Sequence, residues 1–255
     1  MSRGLAVGAA LAVLVLVGCG GAKRTTEGRT SSTTATSTVE RERVVRVYFL
    51  LGGKVQPVLR VTRTEAVAGA ALQALAQGPS EEERQSMGLR SAVPPGADFS
   101  GLRIDEGVAS LDLPPTWERS AVAQVVYTLT QFPTVQAAEI RGQRYTRADF
   151  EDETPQILVE SPLPFQTVRS PLRASGTANT FEATFQYELV DPQGTILAQS
   201  FVTASSGSGE RGTFSFEVPF SATRSGLGKL VVFEVSAEDG SRIHEIAIPI
   251  RLEAA

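Results

Sequence analysis

Histidine, cysteine and tryptophan each occur once in 255 residues, and lysine occurs only as Lys23, Lys54 and Lys229. One imidazole, His244, and one thiol, Cys19, are too few for a Cys/His metal cluster or for any centre that needs a second imidazole, so zinc would have to rely on carboxylates. A lone cysteine also closes no disulfide within the chain, so stability must come from apolar cores. The formal charge of −4 supplies no extended basic surface for phosphates, which argues against a nucleic-acid partner. The longest apolar run, Leu5 to Val17, falls short of the roughly 20 residues that cross a bilayer.

What is present begins with that run. Met1-Ser2-Arg3 leads into it, as in a signal peptide, and it ends in Leu16-Val17-Gly18-Cys19, which resembles the lipobox of bacterial lipoprotein precursors. The resemblance implies a signal peptide over 1–18, lipidation of Cys19, and an extracytoplasmic protein anchored to the cell membrane; the plainer alternative is an unmodified cysteine behind an uncleaved anchor. Two or more acyl chains hold a protein stably, because each buried methylene contributes about 0.8 kcal/mol. Residues 19–43 are rich in Thr and Ser without apolar periodicity, the composition of a flexible tether. A coil of that length spans about 25 Å on average.

Ordered patterning starts at residue 44. Val44 to Leu50 and Val55 to Val61, separated by Gly52-Gly53, read as paired strands. Thr62 and Glu65 have the spacing of a capping box ahead of Val67, Ala70, Ala71, Ala74 and Leu75, and Gly78-Pro79 stops that helix; Ser80 to Glu83 offers a cap for a further short turn. Leu102 to Ile104 and Val108 to Leu113 form a hairpin about Glu106-Gly107. Val122, Val125, Val126 and Leu129 mark a second helix, and Val135 to Ile140 completes the sheet. Residues 44–150 are therefore expected to be an α+β domain, a small sheet with two helices on one face. From Pro155 the signal is strands alone, alternating in Phe181, Ala183, Phe185, Tyr187 and Leu189 and again from Phe214 to Phe220, with turn residues at regular intervals. Residues 155–253 are expected to be an all-β, immunoglobulin-like antiparallel sandwich, without the cysteine pair and core tryptophan of antibody domains.

Several motifs recur in a known order. Val47-Tyr48-Phe49-Leu50, Gly78-Pro79, Val93-Pro94-Pro95-Gly96, Val108 to Leu113 and Val126 to Thr130 with Phe132-Pro133 resemble the GerMN domain family over residues 44–150. Ser161-Pro162, Ser170-Pro171-Leu172, Gly176, Phe181-Glu182-Ala183, Val232-Phe233-Glu234 and Asp239-Gly240-Ser241 resemble the immunoglobulin-like domain of bacterial spore germination proteins. The pairing implies an envelope lipoprotein related to spore germination and sporulation proteins. It implies no activity.

The residues that usually carry chemistry point the same way. His244 shares the parity of Ile246, Ile248, Ile250 and Leu252, which places it at the rim of the sandwich core. Gly207 to Gly212 spells GxGxxG, but a strand rather than a helix follows it, so it is expected to be a hairpin loop and not a dinucleotide site. Asp105, Glu106 and Asp112, and the acidic hinge Asp149, Glu151, Asp152 and Glu153, are read as solvated charge, with calcium ligation as the alternative. Trp117 is read as cover for the first core, with a sugar-stacking platform as the alternative. No catalytic, cofactor-binding or metal residue is assigned and no cofactor is expected; Cys19 is the one assigned site. The expected function is a non-catalytic assembly or interaction module with an envelope protein partner or a second copy of itself. A peptidoglycan-binding lipoprotein is the alternative, and a hydrolase built on two carboxylates is a distant third.

Overall fold

The computed structural model describes residues 41–254, so the signal peptide, Cys19 and most of the tether lie outside the described residues. The described residues hold together as one unit, within which an N-terminal α+β lobe and a C-terminal sandwich each have their own apolar core. Among the described residues no helix is long and apolar enough to cross a membrane.

In the N-terminal lobe β1 (Arg43–Leu51) and β2 (Lys54–Thr62) pair antiparallel about Gly52-Gly53, whose φ values of +57° and +85° favour glycine. Helix α1 (Val67–Gln77) buries Ala68, Ala71, Leu72, Leu75 and Ala76. Its start differs from expectation. The N-cap is Ala66, with no side-chain hydrogen bond, because Thr62 and Thr64 turn back locally to accept from the N–H groups of Thr64 and Ala66 at 3.3 and 3.2 Å. The capping box forms instead at Ser80 and Glu83, opening α2 (Glu81–Met87), where Ser80 Oγ accepts from Glu83 N at 3.2 Å and Glu83 Oε2 accepts from Ser80 N at 2.7 Å. Glu83 also receives Arg60 of β2 through both guanidinium nitrogens, at 2.6 and 2.7 Å, which fastens α2 to the hairpin.

Beyond α2, β3 (Arg103–Asp105), β4 (Val108–Leu111), β5 (Ala137–Ile140) and β6 (Gln143–Tyr145) form a four-stranded sheet in that order, with β4 and β5 parallel and α3 (Arg119–Leu129) on the crossover between them. The strands of this lobe are thus shared between a two-stranded hairpin and a separate four-stranded sheet.

The apolar stripe that marks α3 in the sequence covers only part of what the helix buries, since every residue from Ala121 to Leu129 is buried, Gln124 and Thr128 included. Gln124 and Thr128, on one face of α3, and Gln131, in the turn just beyond it, take the place of a neighbouring strand along the free edge of β1. Gln131 Oε1 accepts from Arg46 N at 2.6 Å while its amide nitrogen donates to Arg46 O; Thr128 Oγ1 accepts from Tyr48 N at 3.2 Å; Gln124 Nε2 donates to Tyr48 O at 2.9 Å. Leu50, next in the alternation, pairs with Arg90. A buried strand edge is thereby satisfied by side chains.

The C-terminal lobe is a sandwich. One sheet runs β11 (Ile196–Thr203), β10 (Thr184–Val190), β13 (Gly226–Val235), β14 (Arg242–Leu252), β8 (Thr167–Val168), and the other runs β12 (Gly212–Val218), β9 (Leu172–Ala178), β7 (Ile157–Ser161). All neighbours are antiparallel except β14 and β8. Phe185, Leu189, Phe214, Val218, Leu230, Val232, Ile248 and Ile250 fill the space between the sheets. Phe181 departs from its expected place in the alternation: the chain makes a short 3-10 turn at Phe181–Ala183, with Glu182 and Ala183 at positive φ, and Phe181 is left 67% exposed.

Replacing Gln124 by Leu would keep the volume but orphan the Tyr48 carbonyl and the Ala92 N–H, which donates to Gln124 Oε1 at 2.8 Å. The expected loss is about 2–4 kcal/mol of unfolding free energy, read as a lower denaturant midpoint, against less than about 0.5 kcal/mol for the exposed change Gln85→Leu.

Candidate functional site at the junction of the lobes

Strand β7 has two buried faces. Ile157 and Val159 enter the sandwich core, while Leu158 belongs to the core of the N-terminal lobe. Glu160 follows at a bulge, where the register with β9 slips between Val159 and Ser161, and its carboxylate turns into the junction on the side of Leu158.

There Glu160 meets Arg147 and Tyr48. Arg147 Nη1 donates to Glu160 Oε1 at 2.8 Å, and the Tyr48 hydroxyl donates to the same oxygen. Arg147 also donates through Nε to Thr130 Oγ1 at 2.9 Å and through Nη2 to the Tyr48 hydroxyl at 3.2 Å. Its guanidinium carbon lies 4.7 Å from the ring centre of Tyr127 and 5.4 Å from that of Tyr48, a cation held over two aromatic faces. Arg46 Nε donates to the Glu160 carbonyl at 3.1 Å. Burial pushes the Glu160 carboxyl up, but the Arg147 charge and the hydrogen bonds from Tyr48 and Arg147 outweigh it and hold the carboxyl below its usual range. Burial drives the Tyr48 phenol far up, so it remains a donor.

A second clasp uses the hinge and the glycine-rich loop. Arg211 reaches Glu151 through Nε and Nη2, both at 2.9 Å, and also donates to the Pro155 carbonyl at 2.9 Å. Asn179 Nδ2 donates to Glu151 Oε1 at 2.8 Å and Asn179 Oδ1 accepts from Gly209 N at 2.9 Å. The expectation of solvated hinge charge is therefore corrected for Glu151, and for Glu153, which pairs with Arg119 at 2.9 Å. Asp149 accepts from Thr146 N at 2.7 Å as a local cap, whereas Asp105, Glu106 and Asp112 are exposed. Among the described residues no three His, Cys, Asp or Glu side chains converge as metal ligands.

The GxGxxG loop is not a hairpin loop. It carries the chain from β11 in one sheet to β12 in the other, and a side chain at Gly207 would meet the Thr180 carbonyl at 2.4 Å. His244 also moves from its expected place. The β13–β14 register slips between Val232 and Glu234, His244 takes φ +54°, and its ring turns outward, where Nδ1 lies 2.6 Å from Glu234 Oε2. It borders a 430 Å³ groove with Leu51, Lys54, Val55, Pro155 and Ile246. Trp117 is half-buried against the first core, its ring edge-on to Phe99 at 6.0 Å. A cavity of 850 Å³ lies between the start of α1 and the segments around residues 96–104 and 132–135, and Val67, Phe99, Leu102, Ile104, Phe132 and Val135 supply its apolar wall.

Sequence reasoning passed over Tyr48, Arg147, Glu160 and Arg211 as site residues. One trace was available: Glu160 is a lone charge at the end of the apolar run Ile157-Leu158-Val159.

Comparison with known proteins follows this division of the chain. Residues 27–142 match the family described as sporulation and spore germination, and residues 156–241 match the immunoglobulin-like domain of bacterial spore germination. Among solved structures, the tandem GerMN domains of the sporulation protein GerM from Bacillus subtilis are 16% identical, with 69% of this chain and 61% of that chain covered and a TM-score of 0.32. The chain thus spans about three fifths of that structure's length. CopC from Methylosinus trichosporium OB3b is 15% identical over 38% of this chain and 94% of its own, with a TM-score of 0.24. No curated protein matches the chain.

The Glu160 clasp has a pH signature. Its carboxyl titrates lower in the folded than in the unfolded chain, so its stabilisation is complete above the ordinary value of 4.5 and is lost as pH falls through the lower folded value. Glu160→Gln is expected to cost about 2–4 kcal/mol at pH 7 by leaving Arg147 unpaired. Its unfolding free energy should also fall less steeply than the parent's between about pH 5 and 3, as measured by urea titrations at each pH.

Proposed function

We propose, from the premise that a sporulation and spore germination domain and an immunoglobulin-like domain of bacterial spore germination share this chain, that it acts as a membrane-anchored, extracytoplasmic and non-catalytic assembly module of the cell envelope. The observation that carries this reading is the junction. Where two lobes meet, an enzyme commonly holds its polar groups free for a substrate; here Tyr48, Arg147, Glu160, Glu151 and Arg211 are spent on one another. Such a junction fixes one lobe on the other, as suits a scaffold that presents surfaces to partners.

Anchoring is the second part of the proposal. It is supported by the sequence Leu16-Val17-Gly18-Cys19 and by the Thr/Ser-rich stretch that separates it from β1. Lipid at Cys19 would confine the protein to one surface and raise its effective concentration there, so that modest surface contacts suffice for assembly.

The test is crosslinking in intact cells followed by mass spectrometry, with Cys19→Ala as the untethered form. The expected result is one defined envelope protein complex, reduced in the Cys19→Ala cells. Recovery of glycan strands without a protein partner would replace assembly with wall binding, and an unchanged complex in Cys19→Ala cells would remove the anchor from the proposal.

A further inference from the structure

Four strands end the two sandwich sheets, and three are closed or guarded. Strand β8 is two residues long. β7 lies against the N-terminal lobe, with its Glu160 carbonyl taken by Arg46. β12 carries Glu217 in an exposed ion pair with Arg173 of β9. Short length, cover and charge are the ordinary means by which strand edges avoid pairing with another chain.

β11 has none of these three; its one irregularity is a bulge at Leu197, where the register with β10 slips, and residues 198–203 beyond it pair regularly. Ile-Leu-Ala-Gln-Ser-Phe-Val-Thr contains no charge and no proline, and among the described residues its backbone is bonded only toward β10. Phe201 is 68% exposed, the highest exposure of any large apolar side chain described, and Ile196 is 46% exposed. Phe201 stands opposite Gln186 of β10, with Phe233 of β13 beyond, on the outer face of the sheet.

We infer that β11 is a self-pairing edge, on which a second copy of this chain adds its own β11 antiparallel about a two-fold axis at Phe201. This rests on the assembly reading and names one partner for it. The choice of occupant comes from self-compatibility. A two-fold interface sets a strand against itself, so any charge near its centre would meet its own sign, and β11 has none. The axis at Phe201 pairs outward-facing residues only with outward-facing ones: Phe201 with its twin, and Gln199 with Thr203. It joins two five-stranded sheets into one of ten strands and sets residues 199–203 of the two copies opposite each other, satisfying the free N–H and C=O groups along that stretch. A charged foreign segment would find no counter-charge in β11 itself.

The experiment is sedimentation of the full-length chain in detergent, with Phe201→Lys and Phe201→Glu variants alone and mixed. The parent is expected to form dimers, and each variant to dissociate by at least about tenfold, because like charges meet at the axis. The mixture is expected to recover dimers, since opposite charges then face each other, and misfolding of either variant would not produce that recovery. A parent that stays monomeric overturns the inference, as does a dimer indifferent to both substitutions. Either result leaves the assembly proposal to its own crosslinking test, where a different envelope protein would still support it.

Discussion

A strand with no solvent side is the constraint on which the described structure depends. β7 sends Ile157 and Val159 into one core and Leu158 into the other, and the bulge that follows turns Glu160 into the same junction. A carboxylate there must be paired, since an unpaired buried charge costs several kcal/mol. Arg147 and Tyr48 meet that requirement. Arg147 in turn is desolvated, and two aromatic faces, the Thr130 hydroxyl and Glu160 share its charge. Removing any one member leaves the others exposed to the same penalty, so the group behaves as a unit.

The same logic runs outward to β1. Tyr48 can hold its hydroxyl against Glu160 only if its strand is fixed, and that strand has a free, buried edge. Gln124 and Thr128 of α3 and Gln131 in the turn just beyond it close it by supplying donors and acceptors at strand spacing. Polar residues in the middle of a buried helix are unfavourable in isolation and become necessary once the strand beside them has no partner. One charged side chain in β7 thus accounts for polar residues two layers away.

This chain of dependence explains what the sequence disclosed and what it withheld. Periodicity identified α1, α3 and most strands because it reports burial against water, and burial dominates their placement. It identified the lobes' two classes for the same reason. The junction stayed hidden because its members are scattered over Arg46, Tyr48, Tyr127, Arg147 and Glu160, and no local pattern links residues more than 100 positions apart. Glu151 was misread and Arg211 passed over for one reason: each lies in a polar, turn-like stretch that looks solvated by itself, and only the fold brings them together at 2.9 Å. His244 was misplaced because a bulge shifts parity without a sequence signal, and α1 was started four residues early because Thr62 and Thr64 have two backbone uses and the local turn won.

A welded junction also bears on how such a protein can assemble. Association must overcome the loss of rotational and translational freedom, and any lobe motion frozen at the same moment adds to that cost. Here the relative placement of the lobes is fixed in advance by the Glu160 and Glu151 clasps, so a contact made at β11 need order only the side chains along that edge. The clasps lie on one limb of the sandwich, through β7 and the loop entering β12, and leave β11 with its free hydrogen-bonding groups. Where nearly all the polar groups at the junction are committed to one another, the uncommitted ones elsewhere mark where the molecule can still form bonds, and in the sandwich they include the backbone groups of a strand without charge.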